Sequence, residues 1–147
     1  MQALEENYLR SIMQLDFITT RITKKYNQLK LTKDEFAKQH PAYIELNMAF
    51  YHIVIFQARK LYEAGFRDGL SDDEWFKLKS LRQEVTHAKR KNSKELLEIA
   101  DVNEDLIPLF NKLSIAIHKK YNLDTNEIYQ VFVKEYFEDL DKLWILI

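Results

Sequence analysis

The stretch Pro41–Gly65, PAYIELNMAFYHIVIFQARKLYEAG, decides the fold of this chain. Apolar residues recur along it at steps of three and four, which is the spacing of one helical face. Proline suits the first turn of a helix and glycine suits its end, so the stretch predicts one helix from Pro41 to about Ala64. Because the stretch is apolar most of the way round, we expect it to be the central helix of a bundle. The main face carries Ile44, Met48, Tyr51, Ile55 and Tyr62.

Helix signals also lie on both sides of this stretch. An apolar stripe at helical spacing predicts a first helix over about residues 3–30. Thr32 is the predicted cap of a short second helix. Ser71 and Glu74 form a capping box that opens the helix after Gly65. Beyond it, the pattern predicts a short helix over about 94–100, a helix from about 105 to Tyr121, and a last helix that ends in an apolar terminus.

Composition agrees with this all-α prediction. The 147 residues include only 2 Gly and 2 Pro, whereas turn-rich β architectures need many of both. The length fits one domain. We therefore expect a single all-α domain over residues 1–147, a bundle of about five long helices plus short helical pieces. The chain has no Cys, which excludes a disulfide framework, a thiolate zinc site and a cysteine nucleophile.

The sequence also predicts the cellular compartment of the protein. The N-terminus is acidic and polar, without the apolar core of a signal peptide. No stretch approaches the roughly 20 apolar residues of a membrane span. With the absence of Cys, these features predict a cytoplasmic protein without membrane contact.

Charge is divided unevenly along the chain, although the net charge is only −1. Residues 77–94 hold seven basic side chains and one acid, and residues 124–141 hold six acids and one base. Such runs are either solvated helix faces or interaction surfaces. As a surface, the first run would attract a polyanion such as RNA. Its candidate RNA-binding residues are Lys79, Lys89, Arg90 and Lys91.

One hexapeptide inside the basic run carries candidate chemistry: Arg82-Gln83-Glu84-Val85-Thr86-His87. Histidine titrates near neutral pH and can move a proton, and arginine offers a planar cationic fork that fits phosphate oxygens. RNA cleavage without metal needs both roles, one at the 2′-hydroxyl and one at the phosphate. On an ideal helix Arg82 and His87 lie about 140° apart around the axis and about 7.5 Å along it. They can therefore share a site only in a crevice or with a second copy of the chain.

The hexapeptide resembles the Arg-polar-x-x-x-His motif of HEPN ribonuclease domains. That resemblance implies an all-helical bundle, with the motif near the end of a helix. It also implies a homodimer that cleaves RNA without metal or cofactor, as in toxin–antitoxin, abortive-infection and other defence systems. Arg82 would contact phosphate, His87 would be the general acid or base, and Gln83 would be the polar neighbour. The family most often has Asn at the position of Gln83.

Other interpretations of these residues stay open. Arg82 and His87 are each common in purely structural roles on a helix surface. Glu84 and His87 also have the Glu-x-x-His spacing of di-iron bundles, but no other His here has Glu three positions before it. Three histidines on three predicted helices, His52, His87 and His118, could form an imidazole metal site.

A different class of function is a non-enzymatic helical protein, an inhibitor, adaptor or immunity-type partner. It would use the acidic last helix to bind a basic protein. The aromatic side chains lie at core spacing, which favours packing over base stacking.

Overall fold

The computed structural model describes residues 2–86 and 105–122, and the side chains within these ranges except those of residues 80–86. The described residues form five helices and no β-strand, which confirms the all-α prediction. The helices are α1 (Ala3–Gln28), α2 (Lys33–Gln39), α3 (Pro41–Glu63), α4 (Asp72–Thr86) and α5 (Ile107–Tyr121).

The helix boundaries follow local chemistry, and the predicted signals are confirmed. Thr32 and Glu35 form a full capping box at the start of α2. Pro41 occupies the first turn of α3, where its missing N–H costs no hydrogen bond. At the start of α4 the Glu74 amide donates to Ser71 Oγ (3.2 Å) and the Ser71 amide donates to Glu74 Oε1 (3.1 Å).

The helix α3 is central, as predicted. It packs against α1, α2 and α4, and its Tyr51 ring lies 6.3 Å from the Phe110 ring of α5. Both α3 and α5 run antiparallel to α1. The α5 pairing is fixed by Tyr8 Oη, which donates to the Phe110 carbonyl at 2.8 Å. Burial raises the pKa of the Tyr8 phenol well above its usual range, so the neutral form makes this bond.

Two apolar clusters form the core of the described part of the chain. The larger joins α1, α3, α4 and α5, and the smaller lies where α1, α2 and the start of α3 meet. Burying such surface supplies the main stabilising free energy, about 25 cal/mol per Å². The largest fully buried side chains include Tyr8, Phe36, Phe110, Ile55, Leu61 and Leu113.

One apolar face of α3 is exposed, although α3 is the central helix. Ala42, Leu46, Ala49, Ile53 and Phe56 recur at steps of four and three and are all exposed. We call these five residues the outer stripe of α3. Ile53 is 41% exposed and Phe56 52%. The core uses only the faces of α3 that meet the other helices, so this apolar face is left at the surface.

Several predictions fall outside the described residues. These are the short helix at 94–100, the last helix with its acidic run, and the apolar terminus. His87, Lys89, Arg90 and Lys91 fall there too. Within the described ranges, no helix combines the length and apolarity that crossing a membrane requires.

Candidate functional site

The hairpin of α3 and α4 carries the candidate site. A Schellman motif ends α3: the Gly65 amide donates to the Tyr62 carbonyl and the Phe66 amide to the Leu61 carbonyl, each at 3.0 Å. Gly65 adopts a φ of 95°, which side-chain-bearing residues rarely tolerate. The Arg67 guanidinium stacks on the Tyr62 ring, 3.6 Å from its centroid, and donates to the Tyr62 carbonyl. These contacts fix the turn between the two helices.

The turn is also anchored to α5. Gly69 lies so close to this helix that a Cβ atom would come within 2.7 Å of Ala116 Cβ. Lys112 Nζ donates to Glu74 Oε2 at 2.5 Å, and this bond is the main cause of the lowered pKa of Glu74. Thus α5 helps to hold the start of α4 in place.

A groove of about 440 Å³ lies between α3 and α4. Its volume is within the usual range for small-molecule sites, roughly 300–1,000 Å³. The two helices form a hairpin, so Glu63 and Asp72 lie at the end near the turn, and Ile55 and Lys79 at the far end. The groove is lined by Ile55, Arg59, Tyr62, Glu63, Asp72, Trp75, Phe76, Leu78 and Lys79.

Two adjacent aromatic residues of the groove differ sharply in exposure. Trp75 is only 5% exposed, and its ring lies 5.1 Å from that of Tyr62. Its buried indole N–H has no acceptor among the described residues. Phe76 is 72% exposed, so the expectation that the Phe residues pack in the core is wrong for Phe76, as it is for Phe56. Adjacent residues of a helix point about 100° apart, so Trp75 can face the core while Phe76 faces the solvent. Residue type alone did not distinguish the two positions.

The cations of the groove, Arg59 and Lys79, differ in their partners. Arg59 Nε donates to Glu63 Oε1 at 2.8 Å, an exposed pair one helical turn apart. Lys79 is exposed at the far end and makes no ion pair with any residue that the structure describes. The far end of the groove therefore carries an exposed cation that no described residue neutralises.

The hexapeptide follows directly on this groove. The backbone of α4 is helical through Thr86, so Arg82 and Gln83 occupy helical positions. Arg82 lies seven residues, two turns, after Trp75, and Gln83 lies seven after Phe76, so both continue the groove-lining register of α4. The structure describes neither side chain, and His87 lies beyond the described residues. Of the predicted RNA-binding residues, Lys79 is in the groove.

The described residues do not support either metal-site hypothesis. Among the side chains that the structure describes, those of residues 2–79 and 105–122, no three His, Asp or Glu are grouped as metal ligands. His52 lies on α3 and His118 on α5, where burial lowers the pKa of His118. His87, the third histidine of that hypothesis, is outside the described ranges.

One buried ionic contact was not foreseen from the sequence. Glu5 in the acidic N-terminus is 2% exposed and accepts from Lys120 Nζ at 2.9 Å. The only sequence signal was its place among apolar residues of the α1 stripe, between Leu4 and Tyr8.

Comparison of the chain with protein-family models, with characterised proteins and with solved structures finds no match in any of the three.

Proposed function

We propose that this chain is a HEPN-like, metal-independent RNA-cleaving domain of a toxin, abortive-infection or other defence system, acting as a homodimer. The supporting observation is the register of α4: Arg82 and Gln83 lie on the helix that lines the groove, just beyond the cation of Lys79. The basic run gives the sequence-level support, because phosphate contacts dominate affinity for nucleic acids.

The proposed reaction follows from the two side chains. His87 takes the proton of the 2′-hydroxyl, and that oxygen attacks the adjacent phosphorus. The bond from phosphorus to the 5′-oxygen breaks, which leaves a 2′,3′-cyclic phosphate and a 5′-hydroxyl end. Arg82 stabilises the charge that builds up on the phosphate oxygens. His87 of a second copy donates the proton to the departing 5′-oxygen, which a two-fold dimer makes available.

The dimer has a candidate surface in the outer stripe of α3. In an antiparallel two-fold pairing centred on Ala49, Leu46 faces Ile53 of the second copy. Ala42 then faces Phe56, so small side chains meet large ones. Each copy would cover the apolar stripe that the described part of the fold leaves exposed.

Cleavage is tested with total RNA in EDTA, comparing the natural chain with an Arg82→Ala, His87→Ala double variant. We expect fragments with 2′,3′-cyclic phosphate ends from the natural chain and at least 100-fold less from the double variant, since general acid–base groups each contribute about 10²–10⁴ in rate. Arg10→Ala and His118→Gln, on α1 and α5, serve as matched controls and should keep full activity. Equal inactivity of all proteins would overturn the proposal.

The second candidate is the non-enzymatic interaction protein. The outer stripe of α3 favours it as well, because an exposed apolar helix face of this kind is typical of protein–protein surfaces. It predicts a stripe-dependent complex with a different protein and no cleavage of RNA. The acidic segment that first suggested it lies outside the described residues.

A further inference from the structure

The α3–α4 groove combines three features that one RNA nucleotide can satisfy together. Its middle is aromatic and apolar, through Tyr62, Trp75 and Phe76. The buried indole N–H of Trp75, a lining residue, has no acceptor among the described residues, and Lys79 at the far end has no ion-pair partner among them.

Phe76 provides a surface on which a base can stack. Phe76 is 72% exposed and lines the groove, so most of its surface is accessible to a ligand there. Leaving a large apolar ring in water is unfavourable, and stacking a flat base on it removes that surface from water. Every base has such a face, so stacking alone selects no particular sequence.

The Trp75 indole provides a hydrogen-bond donor. Buried indole N–H groups normally have a partner, because an unsatisfied buried donor costs free energy. The Trp75 indole N–H has no acceptor within the described residues, although Trp75 is only 5% exposed. A carbonyl oxygen on the edge of a bound base would supply the acceptor. Uracil, cytosine and guanine carry such an oxygen, and adenine does not.

Lys79 provides the cation for a phosphate. It lies one helical turn after Phe76, so it and the ring share one face of α4. The other cation of the groove, Arg59, is held by Glu63 at 2.8 Å. The basic run of the sequence continues from Lys79 to Arg82, which favours a polyanion over an isolated neutral ligand.

We propose that the α3–α4 groove binds one unpaired, carbonyl-bearing base of single-stranded RNA, stacked on Phe76, with Lys79 on the neighbouring phosphate. This inference rests on the proposed function and adds the site that selects the substrate next to the cleavage pair. It predicts a preference for uridine over adenosine at this position.

The experiment measures binding separately from cleavage. The His87→Ala variant is titrated with fluorescein-labelled rU8 and rA8 in EDTA, and fluorescence anisotropy gives Kd. Adding Phe76→Ala should weaken rU8 binding by roughly 5- to 100-fold, the usual effect of removing one stacking ring. Adding Lys79→Ala should lower the slope of log K against log salt by about 0.7, one phosphate contact on a single strand. Trp75→Phe keeps an apolar ring but removes the indole N–H. It should weaken the binding of rU8 and leave the binding of rA8 unchanged.

Matched controls are available on the same chain. Leu29→Ala removes an apolar side chain that is 51% exposed at the end of α1, far from the groove in sequence. Lys38→Ala removes an exposed lysine from α2, outside the basic run of residues 77–94. Both should bind rU8 as the His87→Ala parent does. Far-ultraviolet circular dichroism of every variant checks that the helices remain.

The outcomes separate this inference from the proposed function. Loss of affinity with Phe76→Ala and Lys79→Ala, but not with the controls, supports the groove even if the natural chain cleaves no RNA. Unchanged affinity in both groove variants overturns it, even if Arg82 and His87 prove essential for cleavage. Absence of binding to either oligonucleotide overturns it as well.

Discussion

The carboxylate of Glu5 on α1 is buried and depends on a single described partner, Lys120 on α5, at 2.9 Å. Glu5 is 2% exposed, whereas the Lys120 side chain is 42% exposed and reaches in from the surface. The second carboxylate oxygen, Oε2, is buried without a hydrogen-bond partner among the described residues. The pair joins the start of the chain to the end of α5 and fixes their antiparallel register.

Removing the lysine should therefore destabilise the fold more than removing the whole pair. Lys120→Met leaves a buried carboxylate without its cation, and we expect Tm to fall by several degrees. The double variant Glu5→Gln, Lys120→Met replaces that charge with a neutral amide and should regain most of the loss. Thermal unfolding followed by circular dichroism measures both. A double variant less stable than Lys120→Met would contradict this role of the pair.

The same pair predicts a pH dependence. The hydrogen bond to Glu5 is the main cause that raises the pKa of Lys120. A raised pKa in the folded state means that the contribution is complete below the unfolded value of about 10.4 and is lost as pH rises through the folded value. The difference in stability between the natural chain and Lys120→Met should thus stay constant from pH 7 to 9 and shrink above about pH 10.4. Buried Tyr8 also titrates in alkali, but it is present in both proteins and cancels in the difference.

The two glycines should respond differently to the same substitution. Both have positive φ, 95° at Gly65 and 87° at Gly69, so alanine costs about 1–2 kcal/mol at either position. At Gly65 no atom lies within 4 Å of the new Cβ, but at Gly69 it would meet Ala116 Cβ at 2.7 Å. Overpacking adds about 1–3 kcal/mol, so Gly69→Ala should be the more destabilising variant in urea unfolding. Equal costs would show that α5 yields to the added methyl group.

Lys30 offers a stabilising substitution. It ends α1 with a φ of 56°, and the Lys30 and Leu31 amides donate to the Asn27 and Tyr26 carbonyls as in a Schellman motif. Glycine suits this position, and we expect Lys30→Gly to raise stability by about 0.5–1 kcal/mol, the relief of backbone strain less the entropy gained by the unfolded chain. Lys24→Gly lies inside the helix and serves as the control. It should lower the free energy of unfolding by about 1 kcal/mol.

The outer stripe of α3 predicts the oligomeric state. Ile53→Glu places a charge in the centre of the proposed two-fold contact. Light scattering after gel filtration should then show a monomer for this variant and, if the proposed contact forms, a dimer for the natural chain. Gln57→Glu, half-buried on the same helix but outside the stripe, controls for added charge. A natural chain that is monomeric at micromolar concentration would leave the stripe to a different protein partner, as the second candidate function requires.

Local signals in the sequence were enough to locate the described helices. Thr32 and Ser71 open helices, Pro41 stands in a first turn and Gly65 follows a last one, because caps and turns depend on a few adjacent residues. The end of α1 is the informative exception: its motif uses Lys30, a residue that no turn rule favours.

The candidate site was only partly accessible from the sequence. The motif Arg82 to His87 and the cation of Lys79 could be chosen by residue type and spacing. The groove beside them could not, because it exists only where α3 and α4 pack against each other. Trp75 and Phe76 are adjacent aromatic residues with the same sequence signal, yet one is buried and the other exposed.

The sequence by itself determined the all-α class, the helix boundaries and the residue types available for chemistry, since these depend on periodicity and near neighbours. Tertiary structure alone decided which faces are covered. It buried Glu5 under Lys120, left the outer stripe of α3 exposed, and aligned the register of Arg82 with a groove. The physical reason is that burial is a property of packed surfaces from distant parts of the chain, which no local pattern specifies.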